Sequence, residues 1–389
     1  MSRPAEPTGA PPVLTVEGLD VTIGSGGRAA RAVRRVDLTL HRGEAVGLVG
    51  ESGSGKSLTC RSVLGVLPDG IAVTGGRIGL ADPDGDGTTE LTGLDRARWN
   101  TVRGRRVAAV FQDPASYLNP SLTVGRQLSE QLRVGRGLSR PAARERAVEL
   151  FGAVGLHRPD ELYDRYPHEL SGGMLQRVLI AIAVSCEPEL LIADEATTAL
   201  DVVIQAEILE LLQSLRTAHG LALVLVTHDL AVVAEGCDRV VVMYAGEIVE
   251  DGPTEAVLAA PAHPYTEALL RVASLGAWGR RELEVIEGQP PEAGAELPGC
   301  RFADRCPYAE PRCTEAPVEL AVSADGRRSR CLLTPGADGR RGADEPHAAG
   351  SHDAAGSHDA AGSPEPDGRR AAATPAPAAR TALTEGAQP

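Results

Sequence analysis

The sequence predicts an α/β fold organised around a mainly parallel sheet, on three observations. Short runs rich in Val, Ile and Leu alternate with helix-length segments between Val13 and Thr334. A glycine-rich loop joins one such run directly to one such helix, and acids or a histidine follow other runs, where the side chains of a parallel sheet converge. In chain order, Leu14 to Ile23 and Ala32 to Leu40, linked by the glycine-rich Gly24 to Gly27, read as a β hairpin. Ala45 to Val49 is a short apolar run suited to a strand buried on both faces, and Lys56 to Val66 is the helix after it. Asp82 to Gly87 (DPDGDG) reads as an exposed turn in the β-rich part, because its acids lack the spacing and terminal Glu of a calcium loop. Val107 to Phe111 is a strand, Asn119 to Leu170 is helical and includes the helix Arg140 to Val154, and Gly172 to Val184 is a further helix. The strands Leu190 to Ala193, Leu221 to Thr227 and Arg239 to Tyr244 follow, with the helix Val202 to Ala218 between the first two.

Composition narrows the class of protein before any motif is read. Of 389 residues, 39 are basic and 53 acidic, a net charge of −14, so no basic field invites nucleic acid. Seven cysteines are too sparse for a disulfide scaffold, the start MSRPAEPTGAPPVLTVE has no apolar secretory core, and runs such as Val178 to Val184 fall short of the roughly 20 residues that span a bilayer. The expectation is a cytoplasmic location and no membrane crossing. Every basic residue except Lys56 is an arginine. From Pro335 to Pro389 there is no aromatic residue and only one Leu, Leu383, so this tail is expected to be disordered. Its repeat AAGSHDAAGSHDAAGS carries His352 and His358, either a weak metal or partner site or simply a solvated tail.

Gly50-Glu51-Ser52-Gly53-Ser54-Gly55-Lys56-Ser57, followed by Leu58, has the form G-x4-G-K-[ST] between a strand and a helix. Glycines let backbone N–H groups close around phosphate oxygens at the positive end of the helix; Lys56 would reach the β- and γ-phosphates and the Ser57 hydroxyl would hold Mg²⁺. The strand Leu190 to Ala193 ends in Asp194 and Glu195, two acids facing different ways, one suited to the Mg²⁺ shell and the other to polarising an attacking water. Two more strands end in His228, able to meet a γ-phosphate, and in Gln112, a neutral group suited to positioning water and Mg²⁺.

Leu170-Ser171-Gly172-Gly173-Met174-Leu175-Gln176-Arg177 adds a second place where backbone can approach a phosphate: Ser171 is a good N-cap, and Gly172 and Gly173 open the helix. With it the chain resembles the ATP-binding cassette (ABC) ATPases, whose signature it matches with Met174 in the usual Gln position. The motif order of that family, Walker A, Q-loop, signature, Walker B, D-loop and H-loop, falls here on Gly50–Ser57, Gln112, Ser171–Gly173, Asp194–Glu195, Asp201 and His228. The resemblance implies a P-loop NTPase cassette with a RecA-like parallel sheet, an antiparallel β subdomain and a helical signature subdomain. It further implies a head-to-tail pair of cassettes in which ATP lies between one P-loop and the partner's signature.

Gln112-Asp113-Pro114, Ser116-Tyr117-Leu118-Asn119-Pro120, Tyr166-Pro167-His168-Glu169 and Ala262-His263-Pro264-Tyr265-Thr266 narrow the resemblance to the dipeptide/oligopeptide importer ATPases and their nickel-importing relatives. This implies an ATPase that drives a separate transmembrane permease from the inner face of the membrane, beside a second cassette and, indirectly, an extracytoplasmic solute-binding protein. Nickel or another solute is the alternative cargo, and a soluble ABC ATPase or a redox or metal sensor the alternative role. The chain departs from the family at Ile23, which offers adenine only apolar contact, and at Ala196, where Pro is usual. Cys300, Cys306, Cys313 and Cys331 form a separate small Cys-rich C-terminal module with too little apolar content to fold unaided, for which a metal fits a reducing compartment better than disulfides. The resemblance favours a [4Fe–4S] cluster, with Zn²⁺ as the alternative. Cys60, Cys186 and Cys237 read as core cysteines. The expected organisation is a flexible start at 1–12, a cassette at 13–260, a C-terminal region with the four cysteines at 261–334 and the tail at 335–389.

Overall fold

The computed structural model describes residues 12–26, 29–83, 87–196, 201–275 and 286–333. The tail, with His352 and His358, lies outside the described residues, as do 84–86 of the DPDGDG turn. Strands β1 (Pro12–Ile23) and β2 (Ala30–His41) pair antiparallel, and β3 (Ala45–Val49) runs into helix α1 (Lys56–Leu64). The expected hairpin is half of a larger sheet: β4 (Ile71–Ala81) and β5 (Thr88–Glu90) return to it in the order β2-β1-β4-β5. Sequence reading misses β4 because Gly75 and Gly76 interrupt its apolar pattern. They sit where its pairing with β1 shifts register, and Gly76 needs its positive φ of 82° there, since a Cβ would fall 2.4 Å from the Gly18 carbonyl oxygen.

Helix α2 (Arg96–Val102) precedes β6 (Val107–Phe111), after which come α3 (Pro114–Tyr117), α4 (Val124–Arg136), α5 (Arg140–Ala153), α6 (Pro159–Tyr163) and α7 (Gly172–Val184). Then β7 (Leu190–Asp194), α8 (Val202–His219), β8 (Ala222–Val226), α9 (Leu230–Gly236) and β9 (Arg239–Tyr244) alternate. The chain continues through β10 (Glu247–Pro253), α10 (Thr254–Ala259), α11 (Pro264–Leu275), α12 (Arg312–Glu315), β11 (Ala321–Val322) and β12 (Arg328–Ser329). Side chains of Thr123, Ser139, Ser171, Asp201 and Asp229 accept backbone N–H groups at the starts of α4, α5, α7, α8 and α9, each such cap adding about 1 kcal/mol.

The second sheet has the order β11-β12-β10-β9-β3-β8-β7-β6; β9, β3, β8, β7 and β6 run parallel and the remainder antiparallel. Both faces are covered, as the alternation along β7 and β8 shows. Leu191, Ala193, Leu223 and Leu225 face a core shared with α4, α5 and α7, while Leu190, Ile192, Ala222 and Val224 face the core under the antiparallel sheet. Burying each such Leu or Val contributes roughly 1.5–3 kcal/mol, which explains why these strands read as unbroken apolar runs. β10 escapes sequence reading for the opposite reason, because two of its acids are buried. Asp251 accepts Arg239 Nη1 on both carboxylate oxygens at 3.0 Å and Arg328 Nε at 3.1 Å, and Glu250 accepts the N–H groups of Ala262 and His263 at 2.7 and 2.9 Å.

A third core surrounds Tyr244, Tyr265 and Phe302. His263, buried beside it, accepts the Tyr265 N–H on Nδ1 at 3.0 Å and hydrogen-bonds the backbone at Arg330; burial drives its pKa down to about 3. The folded ring therefore stays neutral while an unfolded one takes up a proton near pH 6.5, so its contribution to stability is full above that pH and is lost as the pH falls toward 3. Between pH 6.5 and 5 the loss should be about 2 kcal/mol. Glu250, held above the usual carboxylate range by burial, works in the opposite sense, but His263→Gln leaves it in place. Denaturant titrations should show a smaller stability loss on acidification for His263→Gln than for the wild type; equal losses would refute the assignment.

Candidate functional site

The parallel strands align the candidate residues through their register. Leu48 is paired with Val226, Val226 with Asp194, and Asp194 with Phe111, so the ends of β3, β8, β7 and β6 form one line. Directly beyond that line come Gly50, Thr227 with His228, Glu195 and Gln112. His228 and Gln112 are exposed there.

The loop after β3 is shaped by backbone that only glycine tolerates at two points. Gly50 has φ 146° and a Cβ there would lie 2.1 Å from the Met243 carbonyl oxygen; Gly55, with φ 103°, is the N-cap of α1. Ser52 and Gly53 are exposed at the tip, Ser54 is buried, and Leu58 packs from α1 toward the core. Lys56 is 5% exposed, and its Nζ donates to the carbonyls of Gly50 and Glu51 at 2.7 and 2.9 Å. Burial lowers its pKa, opposed by the nearby Glu195 and Asp194. The Ser57 hydroxyl donates to Asp194 Oδ1 at 3.0 Å, so the two oxygen groups expected to hold Mg²⁺ already face each other. Burial raises the Asp194 pKa against the pull of that hydrogen bond, and a cation bound there would offset the desolvation.

Glu195 differs from its neighbour. Its backbone turns left-handed (φ 51°), its N–H donates to the Val226 carbonyl at 3.0 Å, and its side chain is half-buried. Such a conformation in a non-glycine residue costs roughly 1–3 kcal/mol and separates the directions of the two adjacent acids. Ala196, next to it, is buried, and Ile23, at the end of β1, is 38% exposed.

Ser171 and Gly172 are exposed at the start of α7, where Ser171 caps the helix; Gly173 has no room for a Cβ, which would meet Ile204 of α8 at 2.9 Å. Asp201 caps α8. These residues belong to the helical region and the α8 start rather than to the line of strand ends.

Cys300, Cys306, Cys313 and Cys331 all line one small cavity with His263 and Phe302. Burial raises the thiols of Cys300 and Cys306 to about 11, while backbone N–H groups of Phe302 and Tyr308 bond to them, and Leu333 N–H reaches Cys331 Sγ at 3.4 Å. Three of the four sulfurs thus take an N–H from the residue two positions on, a pattern that stabilises thiolate ligands. Among the described residues, however, no group of three or more His, Cys, Asp or Glu side chains is arranged to hold a metal ion. Neither the [4Fe–4S] nor the Zn²⁺ expectation thus finds a ready-made ligand group among the described residues; what the structure shows is four cysteines lining a common cavity. Cys60 is buried in the core, while Cys186 and Cys237 are partly exposed.

Sequence reasoning missed the groups that fasten the loop after β3 to the C-terminal region. Glu51 N–H donates to the Tyr265 hydroxyl at 2.7 Å, and Arg305 grips the Glu51 carboxylate with both terminal nitrogens, at 2.7 and 2.9 Å. No local signal marks pairs separated by 214 and 254 residues.

Comparison with known proteins places two matches on the chain: an ABC transporter model over residues 33–198, and the oligopeptide/dipeptide transporter C-terminal region over 249–313. The chain is 44% identical to the dipeptide transport ATP-binding protein DppD of Escherichia coli (strain K12), across 82% of this chain and 96% of that one. It is 45% identical to the oligopeptide transport ATP-binding protein AppD of Bacillus subtilis (strain 168), across 78% and 90%. Among solved structures, the dimeric post-hydrolysis state of the ATP-binding cassette MJ0796 bound to ADP and Pi superposes with a TM-score of 0.54 at 28% identity, covering 62% of this chain and 98% of that one.

Proposed function

Because the chain belongs to the ABC transporter ATP-binding proteins, in the branch that carries the oligopeptide/dipeptide transporter C-terminal region, we propose that it hydrolyses ATP to power import of dipeptides or oligopeptides through a separate membrane permease. The observation that carries the reading is the single line of strand ends bearing the phosphate loop, Asp194 with Glu195, His228 and Gln112, with Ser57 and Asp194 already 3.0 Å apart.

In this mechanism Lys56 leaves its two loop carbonyls for the β- and γ-phosphates, and the loop N–H groups from Gly50 to Ser57 surround them. Ser57, Asp194 and Gln112 would hold Mg²⁺, which when bound would neutralise phosphate charge. Glu195 orients and polarises the attacking water, and His228 contacts the γ-phosphate. Ser171, Gly172 and Gly173, with the first two exposed, serve the ATP of a second cassette, and Asp201 lies at that junction. Closure passes through Gln112 and the helical region to the permease. Among the described residues no helix is long and apolar enough to cross a membrane, which suits a subunit held at the inner face by its permease. The same reading keeps a cassette at 13–260 and a C-terminal region at 261–334.

Reconstituting the chain with its permease, second cassette and solute-binding protein in liposomes tests this. ATP-dependent accumulation of a labelled dipeptide is the expected result; accumulation of nickel but not peptide, or ATP turnover indifferent to the permease, would overturn the cargo or the coupling.

For the four cysteines we propose a [4Fe–4S] cluster, supported by four sulfurs around one cavity and by backbone N–H groups aimed at three of them. Anaerobic reconstitution with iron and sulfide should give the visible absorption of a cluster in the wild type and lose it in Cys306→Ser. Zinc bound without sulfide, or no metal, would contradict it.

A further inference from the structure

The phosphate loop is held from outside the cassette by an arginine whose every donor is used. Arg305 ends the short turn Ala303–Arg305, directly before Cys306, and its side chain is only 3% exposed. Nε donates to the Glu287 carbonyl at 2.9 Å; Nη1 donates to Glu51 Oε2 at 2.7 Å and Tyr244 Oη at 3.2 Å; Nη2 donates to Glu51 Oε1 at 2.9 Å and the Ile286 carbonyl at 3.0 Å. Five N–H donors meet five acceptors, with the guanidinium beside the rings of Tyr244 and Phe302. From the same region Tyr265, fully buried against Tyr244 and Phe302, accepts the Glu51 N–H.

Every polar group of Glu51 is thus fastened: its carboxylate by Arg305, its N–H by Tyr265, and its carbonyl by Lys56 and the Ser54 N–H. Of these, the Lys56 bond is the one nucleotide draws on, since the three donors of Lys56 already serve Gly50, Glu51 and Ser54 Oγ and any that turn to phosphate leave these acceptors. Once it leaves, Arg305 and Tyr265 keep the loop in its open, phosphate-shaped course, so ordering it costs less entropy at the moment of binding.

We propose that Arg305 and Tyr265 are positioning residues of the phosphate loop, acting through Glu51, so that the C-terminal region sets nucleotide affinity. Phe302 and Cys306, on either side of this turn, line the four-cysteine cavity, which connects the integrity of that module to the loop. The inference rests on the ATPase reading and extends it to residues far from the strand ends.

The test uses the full chain, with binding of a fluorescent ATP analogue plus Mg²⁺, steady-state kinetics and thermal unfolding without nucleotide. Tyr265→Phe removes one acceptor and little volume, and Arg305→Lys keeps charge but not the fork. Each should weaken nucleotide binding about fivefold or more and raise KM in step, with kcat at saturating ATP within about twofold of wild type. Adding Arg305→Gln to Glu51→Gln should weaken binding by less than about twofold beyond Glu51→Gln alone, because the pair acts as one unit. Arg312→Gln, which breaks only an exposed pair with Glu310 in the same module, should change nothing. Unchanged affinity in Tyr265→Phe and Arg305→Lys, additive losses in the double variant, or a fall in kcat at constant KM would each overturn the proposal. Failure of the wild type to bind nucleotide would overturn the ATPase reading along with it, a result distinct from wild-type binding that the variants leave untouched.

Discussion

Glu195→Gln is expected to lower the kcat of ATP hydrolysis at least about 100-fold while leaving nucleotide affinity within about threefold of wild type. The amide keeps the size and the left-handed backbone of the native residue but cannot take a proton from water or polarise it as a carboxylate does. A 100-fold loss corresponds to about 2.7 kcal/mol of transition-state stabilisation, within the range for a positioned base. Its neighbour offers no substitute. Asp194 is buried and committed to Ser57, and the turn at Glu195 sends the second side chain elsewhere. Single-turnover and steady-state measurements separate the effects, and a kcat within tenfold of wild type would remove Glu195 from its assigned role.

Lys56→Arg should reduce nucleotide affinity at least about 100-fold, although it conserves charge in a protein that uses arginine at every other basic position. Lys56 fits a buried space closed by the Gly50 and Glu51 carbonyls, where a compact ammonium can swing from backbone to phosphate. A guanidinium is planar, wider and directional, and the glycines beside it leave backbone where its fork would need space. The loss of two or more charge-assisted hydrogen bonds to phosphate, at roughly 1.5–3 kcal/mol each, sets the scale. Calorimetric titration with ATP and Mg²⁺ measures it. Binding within tenfold of wild type would show that charge alone is what the site requires.

Much of this was legible in one dimension because it is local. The phosphate loop, the acids after Leu190–Ala193 and the capped glycine pair at Ser171–Gly173 each compress their chemistry into a few adjacent residues beside a strand or helix. What hid was non-local. β4 is disguised by the two glycines that let it bulge against β1, and β10 by acids that are tolerable in the core because Arg239, Arg328 and two backbone N–H groups meet them. The four cysteines could be counted, but the spacing that suggested a module did not reveal that all four line one cavity with His263 and Phe302.

By itself the sequence determined the alternating α/β architecture, the family resemblance and the residues proposed to meet phosphate, since apolar periodicity and short motifs depend on neighbours along the chain. Only the tertiary structure decided that Gly50, His228, Glu195 and Gln112 share one edge, which is a matter of strand register. It alone decided that the C-terminal region reaches back to Glu51 through Tyr265 and Arg305. A buried charge must find its partner wherever folding brings one, and nothing in the residues adjacent to Arg305 states which carboxylate that will be.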